Sequence, residues 1–96
     1  MEYKLRVSIR LDVDASVARV EVRGRVNERN APVLYVLAKR AHAAVPGLRI
    51  VLDLRRASIC EEALRELCQS CETGLFPLPD APAFAPRQLS VLAPAA

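Results

Sequence analysis

The segment at residues 50–54 constrains the fold more than any other part of the chain. Its sequence is Ile-Val-Leu-Asp-Leu, a nearly continuous apolar run with arginines on both sides. A run this short and this apolar is typical of a strand covered on both faces, as the central strands of parallel sheets are. Because parallel strands are joined by long crossovers, helical segments are expected before and after it.

Two amphipathic strands precede this run. Apolar and polar residues alternate between positions 3 and 11 and again between 18 and 25, which is the period of a strand with one buried face. The residues predicted to face inward are Tyr3, Leu5, Val7, Ile9 and Leu11 in the first strand, and Ala18, Val20 and Val22 in the second. A short polar turn at 14–16 joins them, so an antiparallel hairpin is predicted.

Two later segments have helical periodicity. The apolar face of the first helix is predicted to consist of Leu34, Leu37, Ala38, Ala41 and Val45. Asn30 is predicted to cap this helix with its side chain, and Pro32 suits a first turn. The second helix is predicted at 60–73, and Gly74 should end it. Its apolar stripe is predicted to be Leu64, Leu67, Cys68 and Cys71.

The chain closes with a proline-rich connection at 75–87 and one more short strand at 89–92. The whole sequence, residues 1–96, is therefore predicted to be a single α/β domain. Its β-β-α-β-α-β order gives a mixed four-stranded sheet with both helices on one face.

The face of the sheet away from the helices is predicted to be basic. Its cationic residues are Lys4, Arg6, Arg10, Arg19, Arg23 and Arg25. Nucleic acid or an acidic protein could bind there by charge. However, the formal net charge is only +3, and the face lacks aromatic residues for base stacking. Nucleic-acid binding is therefore kept as the less favoured alternative.

The residues give little support for catalysis or metal binding. His42 is the only histidine, and no serine–histidine–acid or paired-carboxylate pattern surrounds it, so it is interpreted as a solvated helix residue. Cys68 and Cys71 have redox-motif spacing but lie toward the carboxyl end of their helix, where the dipole does not activate a thiol. Both are interpreted as small core residues. The sequence predicts no enzyme, cofactor, metal or small-molecule substrate.

The composition favours a bacterial protein of the cytoplasm. No apolar run approaches the roughly 20 residues of a membrane span, so no membrane insertion is expected. The first residues lack the apolar region of a signal peptide, and three cysteines are an odd number for a disulfide framework. The alanine, arginine and proline usage fits a GC-rich bacterial genome.

Three segments, in this order of elements, resemble the STAS domain, named for sulfate transporters and anti-sigma factor antagonists. They are Gly-Arg-Val-Asn-Glu-Arg-Asn-Ala-Pro-Val-Leu at 24–34, Val-Leu-Asp-Leu at 51–54, and the helix start at 59–67. The resemblance implies a non-catalytic protein-binding module in signal transduction and transcription regulation, whose partner is an anti-sigma factor kinase. The family also includes short cytoplasmic subunits of membrane transport systems, whose partner would be a transport ATPase.

In that family the loop after the central strand reads Asp-Ser-Ser-Gly-Leu, and phosphorylation of its second serine breaks the complex. When Ala63 is placed on the glycine, Cys60 falls on the aspartate and Glu61 and Glu62 fall on the serines. The hydroxyl is thus absent at the matching position, Glu62, and Ser58 is only a displaced candidate for phosphorylation. Glu62 either imitates the phosphorylated form in part or simply favours the first turn of a helix, and the second interpretation is preferred.

The resemblance also places the partner surface at the sheet edge where the second helix begins. The residues predicted to bind the partner are Asn27, Asn30, Arg55, Arg56, Ser58, Cys60, Glu61, Glu62 and Ala63. STAS domains commonly continue past the fourth strand with further elements, whereas this sequence stops at Ala96. Either the domain is minimal or another chain supplies the missing cover, and a homodimer is the natural candidate for the second case.

Overall fold

In a computed structural model of the chain, residues 5–45, 47–77, 84 and 88–94 are described. Their secondary structure is β1 (Arg6–Asp12), β2 (Val17–Val26), α1 (Ala31–Ala44), β3 (Arg49–Ile59), α2 (Glu61–Thr73) and β4 (Leu89–Leu92). The predicted order of elements is confirmed. Tyr3, Lys4 and most of the proline-rich connection predicted at 75–87 lie outside the described residues.

The strands form one sheet in the order β1-β2-β3-β4. β1 is antiparallel to β2, while β2–β3 and β3–β4 are parallel, so the predicted mixed α/β sheet is confirmed. β3 extends five residues beyond the apolar run at 50–54, because its carboxyl half keeps pairing with β2. Ser58 lies opposite Arg25 and Ile59 opposite Val26.

Both helices pack against the same side of the sheet and share one core with it. The core residues of the strands are Val20, Val22, Val26, Ile50, Leu52, Leu54, Ala57 and Leu89, and those of the helices are Ala31, Leu34, Tyr35, Ala38, Ala63 and Leu67. Within the described residues, no helix is long and apolar enough to cross a membrane. The other side of the sheet is open, so the expectation that both faces of residues 50–54 are covered is met only on the helix side.

The prediction of a buried face on β1 is wrong for its carboxyl half. Ile9 is 49% exposed and Leu11 is 54% exposed, although both lie on the helix side of the sheet, opposite the buried Val20 and Ala18. The physical reason is position: β1 is the edge strand, and the helices pack over β2, β3 and β4. The alternation of apolar and polar residues correctly predicted the strand, but it carries no information on whether another element covers the apolar side of that strand.

Three details of the helices also differ from the sequence predictions. Tyr35, absent from the predicted apolar face of α1, is fully buried, and its hydroxyl donates to Glu66 Oε1 of α2 at 3.2 Å. Cys68 is exposed rather than part of the core, because Ala63, Leu67 and Ser70 form the buried face of α2. His42 is half-buried rather than fully solvated, and its ring lies 4.7 Å from that of Phe84.

Candidate functional site

The carboxyl ends of β2 and β3 meet at one edge of the sheet, because these strands are parallel. The loop at 27–30 leaves β2 there, and α2 begins there directly after β3. The strand pairing continues to this edge, where the backbone N–H of Cys60 donates to the carbonyl of Val26 at 3.2 Å. The two segments are in contact, since the Glu28 carboxylate of the loop lies within 4.8 Å of Cys60 Sγ. This agrees with the prediction that both segments share one edge.

Two asparagines brace the loop at 27–30. Asn27 Oδ1 accepts the backbone N–H groups of Arg29 at 2.8 Å and of Asn30 at 3.1 Å. Asn30 Oδ1 accepts the N–H of Asn27 at 2.7 Å, and its Nδ2 donates to the carbonyl of Arg25 at 2.8 Å. These bonds hold the loop in one shape and tie it to the end of β2.

The prediction that the Asn30 side chain caps α1 is therefore wrong. Asn30 occupies the N-cap position, but its side chain makes no capping bond to the helix. Its backbone is already in the helical region, with φ −100° and ψ −12°, whereas capping side chains usually stand on an extended backbone. The amide is used by the loop instead.

An acidic group lies where the loop meets α2. The ligand atoms of Glu28, Cys60 and Glu62 are all within 4.8 Å of one another. Both glutamates are exposed and Cys60 is half-buried. One sulfur and two carboxylate oxygens could reach one metal ion, but close exposed carboxylates are common without one. We call Glu28, Glu61 and Glu62 the acidic edge.

The other residues at the start of α2 divide between surface and core. Glu61 accepts from Arg65 Nη2 at 3.1 Å, an ion pair one helical turn apart. Ala63 was predicted to bind the partner, but it is only 3% exposed and packs in the core. It points inward because it lies one turn before Leu67 on the buried face of α2.

Ser58 was predicted to lie in a loop that Arg55 and Arg56 flank, and this is wrong. All three lie within β3, on the open face of the sheet, because β3 continues to Ile59. A bulge interrupts the pairing there: Glu21 lies opposite Asp53 but Arg23 lies opposite Arg56, so two residues of β3 face Val22. The extra residue places Arg55 and Arg56 on the same face. Ser58 is exposed, next to the edge.

Asp53 holds the bulge together. Its Oδ1 accepts the Arg55 backbone N–H at 3.1 Å and Nε at 3.0 Å, and its Oδ2 accepts Nη2 at 2.8 Å. These bonds from Arg55 lower the pKa of the Asp53 carboxyl to about 2, although burial of the carboxylate opposes the shift. Asp53 is therefore ionised and fully occupied within the fold.

The open face is basic, as predicted for those of its residues that the structure describes, and it is larger than the hairpin alone. Arg49, Arg55 and Arg56 of β3 join the arginines of β1 and β2. Arg6, Arg23 and Arg56 lie in register across three neighbouring strands. We call these three residues the arginine row. Lys4, predicted for the same face, is outside the described residues.

The cysteine pair of α2 is poorly suited to redox chemistry. Burial raises the pKa of the Cys71 thiol to about 11, whereas reactive cysteines have lowered values. Cys68 is exposed one turn away. Neither sits at a helix amino terminus, where the helix dipole would stabilise a thiolate.

Sequence reasoning missed Glu28 and Asp53 as parts of these surfaces. Glu28 could have been found, because it belongs to the same loop as Asn27 and Asn30. Asp53 stood out only as the polar residue of an apolar strand, and no pattern in the sequence predicts the bulge that it stabilises.

Comparison with known proteins adds no relative. No protein-family model matches the chain, and no curated protein matches it. The function must therefore be argued from the residues and their geometry.

Proposed function

We propose that this chain is a non-catalytic protein-binding module of the STAS type, similar to an anti-sigma factor antagonist. Its partner binds at the sheet edge formed by the loop at 27–30 and the start of α2. The observation that carries the proposal is the contact of these two segments, in which the Glu28 carboxylate of the loop lies within 4.8 Å of ligand atoms of Cys60 and Glu62 at the start of α2. They are the segments that, by resemblance, face the partner.

The charge of the acidic edge supports a binding role for Glu62. Glu61 has a structural partner in Arg65, so its place in the first turn of α2 is explained by the helix itself. Glu62 instead lies beside Glu28, and two nearby carboxylates repel each other. An arrangement that costs the free chain energy is better explained by a basic group on a partner.

The position of Glu62 suggests how the module is regulated. It falls where the family has the serine that a kinase phosphorylates, and a carboxylate supplies about one of the nearly two negative charges of a phosphoserine. Because Glu62 has no hydroxyl, we propose no phosphorylation switch at this position. Ser58 is exposed on the neighbouring strand and is the remaining hydroxyl for such a modification.

Two alternatives use the same architecture. In the first, the chain is the cytoplasmic STAS subunit of a membrane transport system, and the partner at the same edge is a transport ATPase. In the second, which is of a different class, the arginine row and its neighbours bind nucleic acid through phosphate groups. The second alternative predicts an affinity that falls steeply with salt.

The test is affinity capture of partners from a lysate of the source organism, with the wild-type chain and two matched variants. Glu62→Ala removes a charge from the acidic edge, and Glu72→Ala removes an exposed charge from the far end of the same helix. Recovery of a kinase of the anti-sigma type, reduced by Glu62→Ala and unchanged by Glu72→Ala, is the expected result.

The other outcomes are equally informative. A transport ATPase with the same variant dependence selects the first alternative. If the two variants recover equal amounts of the protein partner, the acidic edge is not the binding surface. Nucleic acid that 0.5 M salt releases, with no protein recovered, contradicts the proposal and favours the arginine row.

A further inference from the structure

The helix side of β1 carries an uncovered apolar strip. Ile9, Leu11 and Val13 are 49%, 54% and 76% exposed, and Val7 beside them is half-buried. The three apolar side chains within β1 lie on the same side of the sheet as the helices, in register with buried residues of β2, and Val13 follows in the turn after the strand. A contiguous apolar strip beside a core is typical of an interaction surface.

The backbone of β1 is also open to a partner. β1 is the first strand of the sheet order, and among the residues that the structure describes β2 is its only neighbour in the sheet. Edge strands are usually protected by proline, by a bulge or by a charged side chain on the inward face. The seven residues of β1 contain no proline, their pairing with β2 is unbroken, and their inward residues are Val7, Ile9 and Leu11.

The sequence of β1 complements itself when two copies run antiparallel about Ile9. The opposed pairs are then Arg6 with Asp12, Val7 with Leu11, Ser8 with Arg10, and Ile9 with its own copy. Every apolar residue faces an apolar residue on the helix side, and each end of the pairing joins opposite charges on the open face.

The two neighbouring registers that keep the same faces together lack this complementarity. Centring the pair on Ser8 places Arg6 opposite Arg10 twice, and centring it on Arg10 places that residue opposite its own copy. Like charges directly opposite each other destabilise a sheet. In the register about Ile9, Arg10 faces only Ser8, and it keeps its ion pair with Glu21 at 3.0 Å.

We propose that the chain forms a symmetric homodimer through antiparallel pairing of β1 with β1 of a second copy, centred on Ile9. The two four-stranded sheets then join into one, with all helices on the same side and the open basic faces side by side. The apolar strip is covered reciprocally by the same strip of the second copy. The acidic edge lies at the strand ends rather than along β1, so the dimer leaves it accessible.

The mass in solution tests the association. Light scattering with size-exclusion chromatography, over protein concentrations from 1 to 500 μM, should give twice the chain mass at the upper end. Ile9→Lys places two cations on the symmetry axis and should return a monomer, while Val33→Lys, at an exposed apolar residue of α1, should leave the dimer intact. A wild-type chain that stays monomeric at every concentration overturns the proposal.

Charge reversal tests the pairing itself. Arg6→Glu places a glutamate opposite Asp12 of the second copy and should raise the dimer dissociation constant at least tenfold. Asp12→Arg should do the same, and the double variant Arg6→Glu/Asp12→Arg should restore wild-type association. Failure of the double variant to recover, in a chain whose circular dichroism is unchanged, contradicts this register.

A disulfide between the two copies of β1 tests the register of their pairing directly. In a background with Cys60→Ser, Cys68→Ser and Cys71→Ala, the variant Ile9→Cys should form a disulfide dimer on mild oxidation, because directly opposed residues of antiparallel strands are within disulfide reach. Ser8→Cys in the same background should cross-link at least tenfold more slowly. Faster cross-linking through position 8 than through position 9 overturns the register.

Discussion

At the residue scale, the most informative side chain is Asp53, a buried charge on an otherwise open face. Its carboxylate accepts the Arg55 backbone N–H that the bulge withdraws from the ladder, and the same carboxylate binds the Arg55 guanidinium. One residue thus satisfies the irregular backbone and neutralises a cation. The arrangement is structural, which removes Asp53 from the residues available to a ligand.

Asp53→Asn should lower the free energy of unfolding by about 1–2 kcal/mol at pH 7, since the bonds to the charged form are weakened. The native pKa of about 2 lies below the ordinary aspartate pKa of 3.8, so this stabilisation is present above about pH 4 and is lost as pH falls toward 2. Urea unfolding at pH 7 and pH 2.5 measures it. Asp14→Asn, at an exposed turn residue, is the control, and an equal effect of both variants at pH 7 would contradict this role.

The two cysteines of α2 should differ in reactivity. Cys68 is exposed, whereas the pKa of about 11 leaves roughly one Cys71 thiol in a thousand ionised at pH 8. Iodoacetamide should therefore label Cys68 at least tenfold faster than Cys71, as peptide mass spectrometry would measure. In a Cys68→Ser variant the fast label should disappear from α2. Equal rates would show that Cys71 is accessible and activated.

At the scale of elements, the end of α2 does more than stop a helix. Gly74 has a left-handed backbone, with φ +73°, and its carbonyl accepts the N–H of Phe84 at 2.9 Å. The ring of Phe84 packs at a tilt against that of Phe76, with the ring centroids 4.9 Å apart, and the centroid of the Phe76 ring lies 4.8 Å from that of Tyr35. The helix terminus therefore positions a row of aromatic rings that closes the core.

Gly74→Ala and Gly47→Ala form a matched pair that separates backbone strain from steric fit. Both glycines have positive φ, so each alanine should cost about 1 kcal/mol of stability. A Cβ at Gly74 would also lie 2.5 Å from the Phe84 carbonyl oxygen, whereas one at Gly47 meets nothing within 4 Å. Thermal unfolding should show the larger loss for Gly74→Ala, by at least about 1 kcal/mol. Equal losses would mean that Phe84 can move freely.

At the scale of the whole molecule, the arginines of the open face interact well with water but also repel one another. Arg10 and Arg55 are paired with Glu21 and Asp53, but the arginine row places like charges in register across three strands. Such pairs destabilise a sheet. The fold tolerates them because the face is open to water and salt.

Arg23→Thr removes the middle cation of the arginine row and should raise the free energy of unfolding by about 0.5 kcal/mol at low salt. The gain should shrink in 0.5 M NaCl, where the repulsion is screened. Arg10→Thr is the control, because it breaks the ion pair with Glu21 and should stabilise nothing. Urea unfolding at the two salt concentrations measures both, and a gain that salt does not reduce would contradict the electrostatic explanation.

The amino-acid sequence by itself determined the order of elements, the inward residues of β2, the end of α2 at Gly74 and the basic open face. These are local properties: period two, period 3.6 and a left-handed glycine are set by neighbours along the chain. The common edge of the loop at 27–30 and the start of α2 was also predictable, because parallel strands end on the same side.

Only the tertiary structure decided which apolar residues are covered. Ile9 and Leu11 alternate as regularly as Val20 and Val22, yet they remain exposed because the two described helices pack over β2, β3 and β4. Cys68 was predicted to lie in the core and is exposed, whereas Tyr35 was not predicted there and is buried. The reason is the same, because burial depends on which element packs against each face of a helix. The meeting of Glu28 with Glu62 is a contact between residues distant in sequence, and the bulge at Asp53 is an irregularity of the backbone. The bonds of Asn30 are local, but they depend on the exact shape of the loop, which periodicity does not encode.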